Sequence, residues 1–493
     1  MNLIARLFLP RSVRMEKSPT MFIADSPTSF CLVLSTCRNL ESIMSSRAQQ
    51  ASAYLQDSRQ RYGSRNPKSK VQHERAARHL PGGNTRSVLH GSPFPLCMAS
   101  GRANRLVDID GHEYLDFMCD MTAGLYGHSH PLISETITST LASTGMNVGA
   151  TTVAEARFAE AISDRFTNID QLRFCNSGTE ANLYALSVAR QVTGRRKVIV
   201  FEGAYHGGVL SFAHGVAPNN VDREDWILGQ YNDRESVVHL IAENKHVAAA
   251  VLVEPMQGAG GCIPGTAEFL HAIQETAKEN GILFILDEVM TSRLAPGGLQ
   301  SAILHPVRSI PLMPDLTTLG KWIGGGLSIG VFGGRQDLMS VYDPRTSNIQ
   351  HSGTFNNNTL AMNVGYKAMT SIYTDEACAA LNALGDDFRV HLQKLATGTK
   401  LTVTGVGSVM TVHFLPNGGR KDISRIHDIE VDPQGTEAAL RDLFWLYLVE
   451  RGLWIARRGM ISFILGTTKE QVDQLLGAVK EFLEDFQDVL AAE

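Results

Sequence analysis

The sequence has no apolar run near the ~18 residues a membrane-crossing helix needs. It also has no CxxC pair and no marked excess of either charge. The first absence removes a helical membrane partner from the expectations. Seven scattered Cys (31, 37, 97, 119, 175, 262, 378), odd in number, exclude a disulfide framework and a structural zinc site and fit a reducing compartment. With 45 Lys+Arg against 50 Asp+Glu the net charge is only -5, which gives no electrostatic reason to bind nucleic acid or an anionic surface. The 44 Gly and 18 Pro form no repeat, so collagen-like and low-complexity readings fail. No GxxxxGK[ST] occurs, and GVGSVM (405–410) lacks the third Gly of a dinucleotide loop, so the usual ATP and NAD fingerprints are missing. What remains, 493 residues at 43% hydrophobic and 19% charged, is an ordinary globular composition. At roughly 150 residues per domain it leaves room for two to four domains or lobes.

The first forty-odd residues stand apart. MNLIARLFLPRSVRM carries Arg6, Arg11 and Arg14 with no acid before Glu16. Such a start reads as a mitochondrial transit peptide, as a disordered tail, or as sequence ahead of a working start near Met44. Localisation is mitochondrial in the first case and cytoplasmic in the others. Residues 1–44 are therefore set aside as an extension, followed by an N-terminal segment over 45–130. In that segment PGGNTRS (81–87) breaks a polar, helix-compatible stretch, and RLVDIDGHEYLDF (105–117) alternates around Asp110-Gly111 as a hairpin does. Two helices are predicted in 131–166. Then KVIVFEG (197–203), AAAVLVEP (248–255) and GILFILDEV (281–289) come as short β-branched runs with helical stretches at 179–193, 233–245 and 266–280 between them. Buried parallel strands read this way because helices cover both sheet faces. The expectation is an α/β domain over 131–364 with a mostly parallel sheet, and a small α+β C-terminal lobe over 365–493. In that lobe a helix is predicted at 365–397, strands near 401–415 and 461–465, and an amphipathic helix at 468–491.

Ligands of open α/β sheets sit beyond the carboxyl ends of the strands. Three elements there carry chemistry. Asp287 ends the run ILDEV; alone it would read as a helix cap or a structural ion pair. Lys321 precedes three glycines in TTLGKWIGGG (317–326), where the backbone can approach a ligand closely; alone it would read as a surface lysine. FCNSGTEAN (174–182) runs from a strand end through Ser177, Gly178 and Thr179 into a helix, whose free N–H groups suit a phosphate; Ser177 and Glu180 also spell an ordinary capping box. A phosphate site, a strand-end carboxylate and a Gly-flanked amine together match pyridoxal phosphate. That cofactor needs its phosphate clamped, its ring nitrogen kept protonated and its aldehyde joined to a lysine as a Schiff base.

The motifs FCNSGTEAN, FEGAYHGG (201–208), VEPMQGAGG (253–261), LDEVMTSR (286–293), PDLTTLGKWIGGG (314–326) and HSGTFNNN (351–358) resemble the class III pyridoxal-phosphate aminotransferases. Within them the chain leans toward the branch that includes glutamate-1-semialdehyde aminomutase, over roughly residues 70–485. The resemblance implies the type I pyridoxal-phosphate fold and a homodimer with active sites at the subunit boundary. It implies that Lys321 holds the cofactor and moves the proton, and that Asp287 pairs with the ring nitrogen. By the same resemblance Ser177, Gly178 and Thr179 hold the phosphate, Tyr205 stacks on the ring beside His206, and Val289 packs the other face. Glu254 falls near the ring's oxygen side, and Thr354 reaches the phosphate of the neighbouring subunit.

For the substrate, GGNTRSVLHGSPFPL (82–96) resembles the loop of bacterial β-phenylalanine aminotransferases in which an arginine grips the donor's carboxylate; here that is Arg86. Arg458, in ARRGM (456–460), lies where that family has an Arg-Gly pair near the other substrate pocket, and is expected to bind the keto acid's carboxylate or 2-oxoglutarate's second one. The resemblance thus implies ping-pong transamination of a β-amino acid with a keto acid such as 2-oxoglutarate or pyruvate. The alternative is intramolecular transfer of the glutamate-1-semialdehyde 2,1-aminomutase type. Met121 and Arg457 depart from the aromatic residue and the proline expected there. No metal is expected: His128 and His130 lack a third ligand, and nothing beside Cys175 or Cys262 would activate a thiol.

Overall fold

The computed structural model describes residues 27–418 and 422–492, so the Arg-rich stretch through Arg14 lies outside the described residues. By its internal contacts the chain divides into Met1–Gln49 and Gln50–Glu493. Among the described residues no helix is long and apolar enough to cross a membrane. The larger unit is built on a seven-stranded sheet in the order Gln171–Cys175, Gly330–Gly334, Leu316–Gly320, Leu283–Asp287, Ala248–Val253, Lys197–Phe201, Trp226–Gly229. All neighbours run parallel except Gly330–Gly334, which is antiparallel to both of its own. The reversal has a local cause: after Gly320 the chain makes one tight turn, Lys321–Gly324, and comes straight back. A parallel return would need a crossover helix.

Every residue of Ala248–Val253, Leu283–Asp287 and Leu316–Gly320 is buried, which explains why the first two read as continuous apolar runs rather than alternating ones. The three connecting helices fall within a residue or two of expectation, at Gly178–Thr193, Arg234–Glu243 and Ala267–Glu279. Each starts on a side-chain cap, from Ser177, Asp233 and Thr266 respectively.

The hairpin forms as Arg105–Asp108 against Glu113–Asp116. Its sheet also takes Leu453–Trp454, parallel to Glu113–Asp116, from near the other end of the chain. The C-terminal region differs in detail from expectation. The helix foreseen at 365–397 is broken: Thr359–Lys367 runs into a π-turn, Ala368–Ile372, and a new helix starts at Asp375. Thr374 causes the break by capping the Ala377 N–H at 3.3 Å. The helix foreseen at 468–491 stops at Asp485, with only a short turn, Gln487–Leu490, beyond it. A helix at Thr436–Glu450 was not foreseen, because apolar residues on nearly every face blur its period.

Candidate active site

Strand register puts the chemistry on one edge. Leu286 pairs with Val253 and Asp287 with Thr318, while Gly320 and Cys175 both pair with Gly330. The residues just past those carboxyl ends therefore converge: Ser177–Thr179, Tyr205–His206, Glu254, Asp287–Val289 and Lys321. Lys321 is itself in the left-handed region at φ 55°, a conformation that L residues adopt only where the surroundings impose it. Trp322 next to it is fully buried and donates Nε1–H to Ser292 Oγ at 2.8 Å. That anchor holds the turn shut.

Asp287 is a buried carboxylate with three donors. His206 Nδ1 and Asn182 Nδ2 each lie 2.8 Å from Oδ2, and the Val289 N–H lies 2.9 Å from Oδ1. A carboxylate can only accept, so His206 carries its proton on Nδ1. Burial pushes the Asp287 pKa up, but the His206 bond and charge, the Val289 N–H and Lys321 outweigh it and hold the group below its ordinary value. Glu254 accepts from the Tyr205 N–H and the Gly258 N–H, each at 3.0 Å. Here burial, helped by the charge of Asp287, outweighs the His206 charge and these two bonds, and the pKa is pushed up to about 7. For Lys321, burial lowers the pKa; Asp287 and Glu254 oppose that, while the charges of Arg458 and Arg86 add to it. The net direction is down.

At the helix Gly178–Thr193, Ser177 Oγ caps the Glu180 N–H at 3.2 Å and Ser177 O takes the Ala181 N–H. The N–H groups of Gly178 and Thr179 are left at the helix mouth, on the positive end of the dipole. Gly178 is required by packing: a Cβ there would stand 2.7 Å from Val289 Cγ1. Gly207, at φ 137°, lets Thr179 close in, since a Cβ there would stand 2.3 Å from Thr179 Oγ1. Val289, Gly178 and Thr179 thus form one continuous surface. Tyr205 keeps 46% of its surface exposed, a ring free to stack. Thr354 is exposed in the turn after His351 and is not among the converging residues of its own chain.

Arg86 lies in an exposed loop with Nη1 2.5 Å from Asp120 Oδ1. Arg458 lays Nη2 against Met460 Sδ at 3.1 Å. The unexpected Arg457 is engaged elsewhere, pairing with both carboxylate oxygens of Asp442 at 3.1 and 2.5 Å. Met121 packs against an apolar cluster that includes Met256, Met290 and Met460. His128 pairs with Asp116 at 3.0 Å, and burial pushes the Cys175 and Cys262 thiols up to about 12 and about 11. Among the described residues no cluster suits a metal.

Sequence reasoning missed Asn182. It is buried, donates Nδ2–H to Asp287 and to His206 O, and its Oδ1 accepts from Thr318 Oγ1 at 2.8 Å. The signal was there: Asn182 follows Gly178 by four residues and so shares its helix face. Asp120, the partner of Arg86, was missed as well; its signal is conformational and has no sequence trace.

The donor set suits one kind of group. It offers a helix mouth for a dianion, a carboxylate for a protonated ring nitrogen, an exposed aromatic ring and a buried amine, its pKa lowered, for a carbonyl carbon. Pyridoxal phosphate fits it. Comparison with known proteins agrees. A family model described as aminotransferase class-III matches residues 88–483. The chain is 48% identical over 420 residues to an uncharacterized aminotransferase of Schizosaccharomyces pombe, covering 85% of this chain and 92% of that one. It is 43% identical over 431 residues to a beta-phenylalanine transaminase of Variovorax paradoxus, covering 87% and 95%. The crystal structure of a beta-phenylalanine aminotransferase from the same organism superposes with a TM-score of 0.85 at 42% identity, over 90% of this chain and 100% of that one. Glutamate-1-semialdehyde 2,1-aminomutases are more distant; that of Chloroherpeton thalassium is 31% identical over 421 residues, covering 81% and 93%.

Proposed function

Because the chain belongs to the class III aminotransferases, pyridoxal-phosphate enzymes of fold type I, we propose that its donor is a β-amino acid of the 3-amino-3-phenylpropanoate kind and its acceptor a keto acid such as 2-oxoglutarate or pyruvate. What supports the reading is the 43% identity over 431 residues to a beta-phenylalanine transaminase, together with two guanidinium groups, Arg86 and Arg458, whose charges help lower the pKa of Lys321. One cation can hold the carboxylate of the donor and the other that of the acceptor while the reacting carbon faces Lys321. A guanidinium fork matches a carboxylate through two parallel hydrogen bonds.

Pyridoxal phosphate, when bound, supplies the electron sink that makes the proton on the amine-bearing carbon removable. The chain's residues do the rest. Gly178 and Thr179 hold the phosphate, and Asp287, kept ionised by His206, Asn182 and the Val289 N–H, holds a proton on the ring nitrogen. Tyr205 and Val289 would pack against the ring. Lys321 Nζ, its pKa lowered by burial, accepts the proton from the donor's amine-bearing carbon and delivers it back. In the dimer this reading entails, Thr354 reaches the phosphate of the second subunit.

The test is the absorbance of the purified holoenzyme with 3-amino-3-phenylpropanoate and no keto acid. The yellow band of the lysine-bound cofactor is expected to disappear and to return when 2-oxoglutarate or pyruvate is added. A band that ignores this donor but responds to glutamate-1-semialdehyde would replace the reading with the aminomutase one.

A further inference from the structure

Four consecutive residues, Cys119, Asp120, Met121 and Thr122, sit in the left-handed region, at φ 54, 43, 54 and 76°. None is glycine. Each such residue is disfavoured on its own, and a run of four stands only where the surroundings impose it. They do. Asp116 Oδ1 takes the N–H groups of Met118 and Cys119 at 2.7 and 3.0 Å. The Gly124 N–H closes on Cys119 O at 2.9 Å. From beneath, Arg293, fully buried, reaches Cys119 Sγ at 3.3 Å and Thr122 O at 3.4 Å, and is itself fixed by Ser462 Oγ at 3.1 Å. The backbone of this turn has nowhere to go. The one charged side chain it sends outward is Asp120, and Asp120 holds Arg86.

The two halves of that pair differ in freedom. Asp120 is a short side chain on a clamped turn, whereas Arg86 is a long side chain on a loop whose residues 85–90 are all exposed. The contact is also single, Nη1 to Oδ1, so it fills only part of the guanidinium fork. We propose that Asp120 is a specificity-determining residue: a resident carboxylate that occupies Arg86 in the free enzyme and that a carboxylate-bearing donor must displace or share. This rests on the reading of Arg86 as the donor's anchor. A donor that carries a carboxylate exchanges one ion pair for another and gains less from Arg86 than it would from a free guanidinium. A donor with no carboxylate leaves the pair closed and is indifferent to it.

The experiment compares wild type, Asp120→Asn and Arg86→Gln holoenzymes with 3-amino-3-phenylpropanoate and with 1-phenylethylamine, which has the same aryl group and no carboxylate. After glycine, Asn is the residue that best tolerates a left-handed backbone, and it keeps an oxygen toward Arg86, so D120N retains the turn. With the side chains at 44% and 51% exposure, the competition is worth about a two- to five-fold drop in KM for the carboxylate donor in D120N, with KM for the amine unmoved. The gain should shrink as salt is raised, as it must for a half-exposed charge. If R86Q raises KM for the carboxylate donor while D120N leaves it unchanged or raises it, the resident-carboxylate role is overturned and Arg86 keeps its role. If R86Q itself leaves that KM unmoved, Arg86 is not the anchor and both readings fall.

Discussion

Asn182 offers the sharpest test of how Asp287 is kept ionised. Replacing it by Leu, close to it in volume, removes the Nδ2–H bond to Asp287 Oδ2 at 2.8 Å while leaving the bonds from His206 and Val289. It also strips His206 O of the donor 2.9 Å away and Thr318 Oγ1 of the acceptor at 2.8 Å. The amide has to be oriented with Nδ2 toward Asp287, because a carboxylate cannot donate and the Thr318 hydroxyl fixes the other end. A hydrogen bond to a charged group contributes about 1.5–3 kcal/mol. If that stabilisation serves the ionised carboxylate and its grip on a ring cation, the cofactor dissociation constant should rise about 10- to 100-fold. The assay is fluorescence titration of apo N182L with pyridoxal phosphate, alongside thermal unfolding of the apo protein. Thr318→Val, which frees the amide without deleting it, should move the same constant in the same direction by less. An unchanged cofactor affinity with a lowered apo melting temperature would refute the reasoning and leave Asn182 as packing alone.

Gly178→Ala should weaken cofactor binding and lower apo stability by about 1–3 kcal/mol, because the new Cβ would meet Val289 Cγ1 at 2.7 Å and Cγ2 at 2.9 Å; titration and thermal unfolding would read both effects. Glu288 is fully buried, accepts from Thr291 Oγ1 and the Gln300 N–H, and is pushed by burial up to about 7 from an ordinary 4.5. A folded-state pKa above the unfolded one means that the native state binds the extra proton, so this stability is full below pH 4.5 and is lost as pH rises toward 7. Glu288→Gln should therefore flatten the fall of the apo melting temperature between about pH 5 and 7.5, an effect of at most about 3 kcal/mol, and parallel profiles would count against it. Arg457→Ala should cost about 1 kcal/mol through the lost Asp442 pair, seen in the melting temperature, with donor KM within two-fold of wild type.

What could be read from the sequence, and what could not, follows from the range of the interactions involved. Strands and helices at 197–287 fell close to expectation because a doubly covered sheet demands unbroken apolar runs, a local pattern. Lys321 and Asp287 were legible because each breaks such a pattern: a cation before glycines, an anion at the end of ILDEV. Asn182 was hidden among residues that an ordinary helix start would also use. The break at Tyr373–Thr374 was hidden because a single capping hydroxyl outweighed an otherwise continuous helical period. The turn Cys119–Thr122 is the extreme case. Nothing in Cys-Asp-Met-Thr asks for a left-handed backbone; the conformation is imposed from outside by Arg293, which is 171 residues away from Thr122 in the chain and buried with no carboxylate among the described residues within hydrogen-bonding distance. A guanidinium in that position is tolerated because carbonyl, thiol and hydroxyl groups converge on it. The same convergence sets the turn that carries Asp120 to Arg86. On the proposed role of Asp120, substrate selection is thereby tied to a long-range packing event that runs through Arg293.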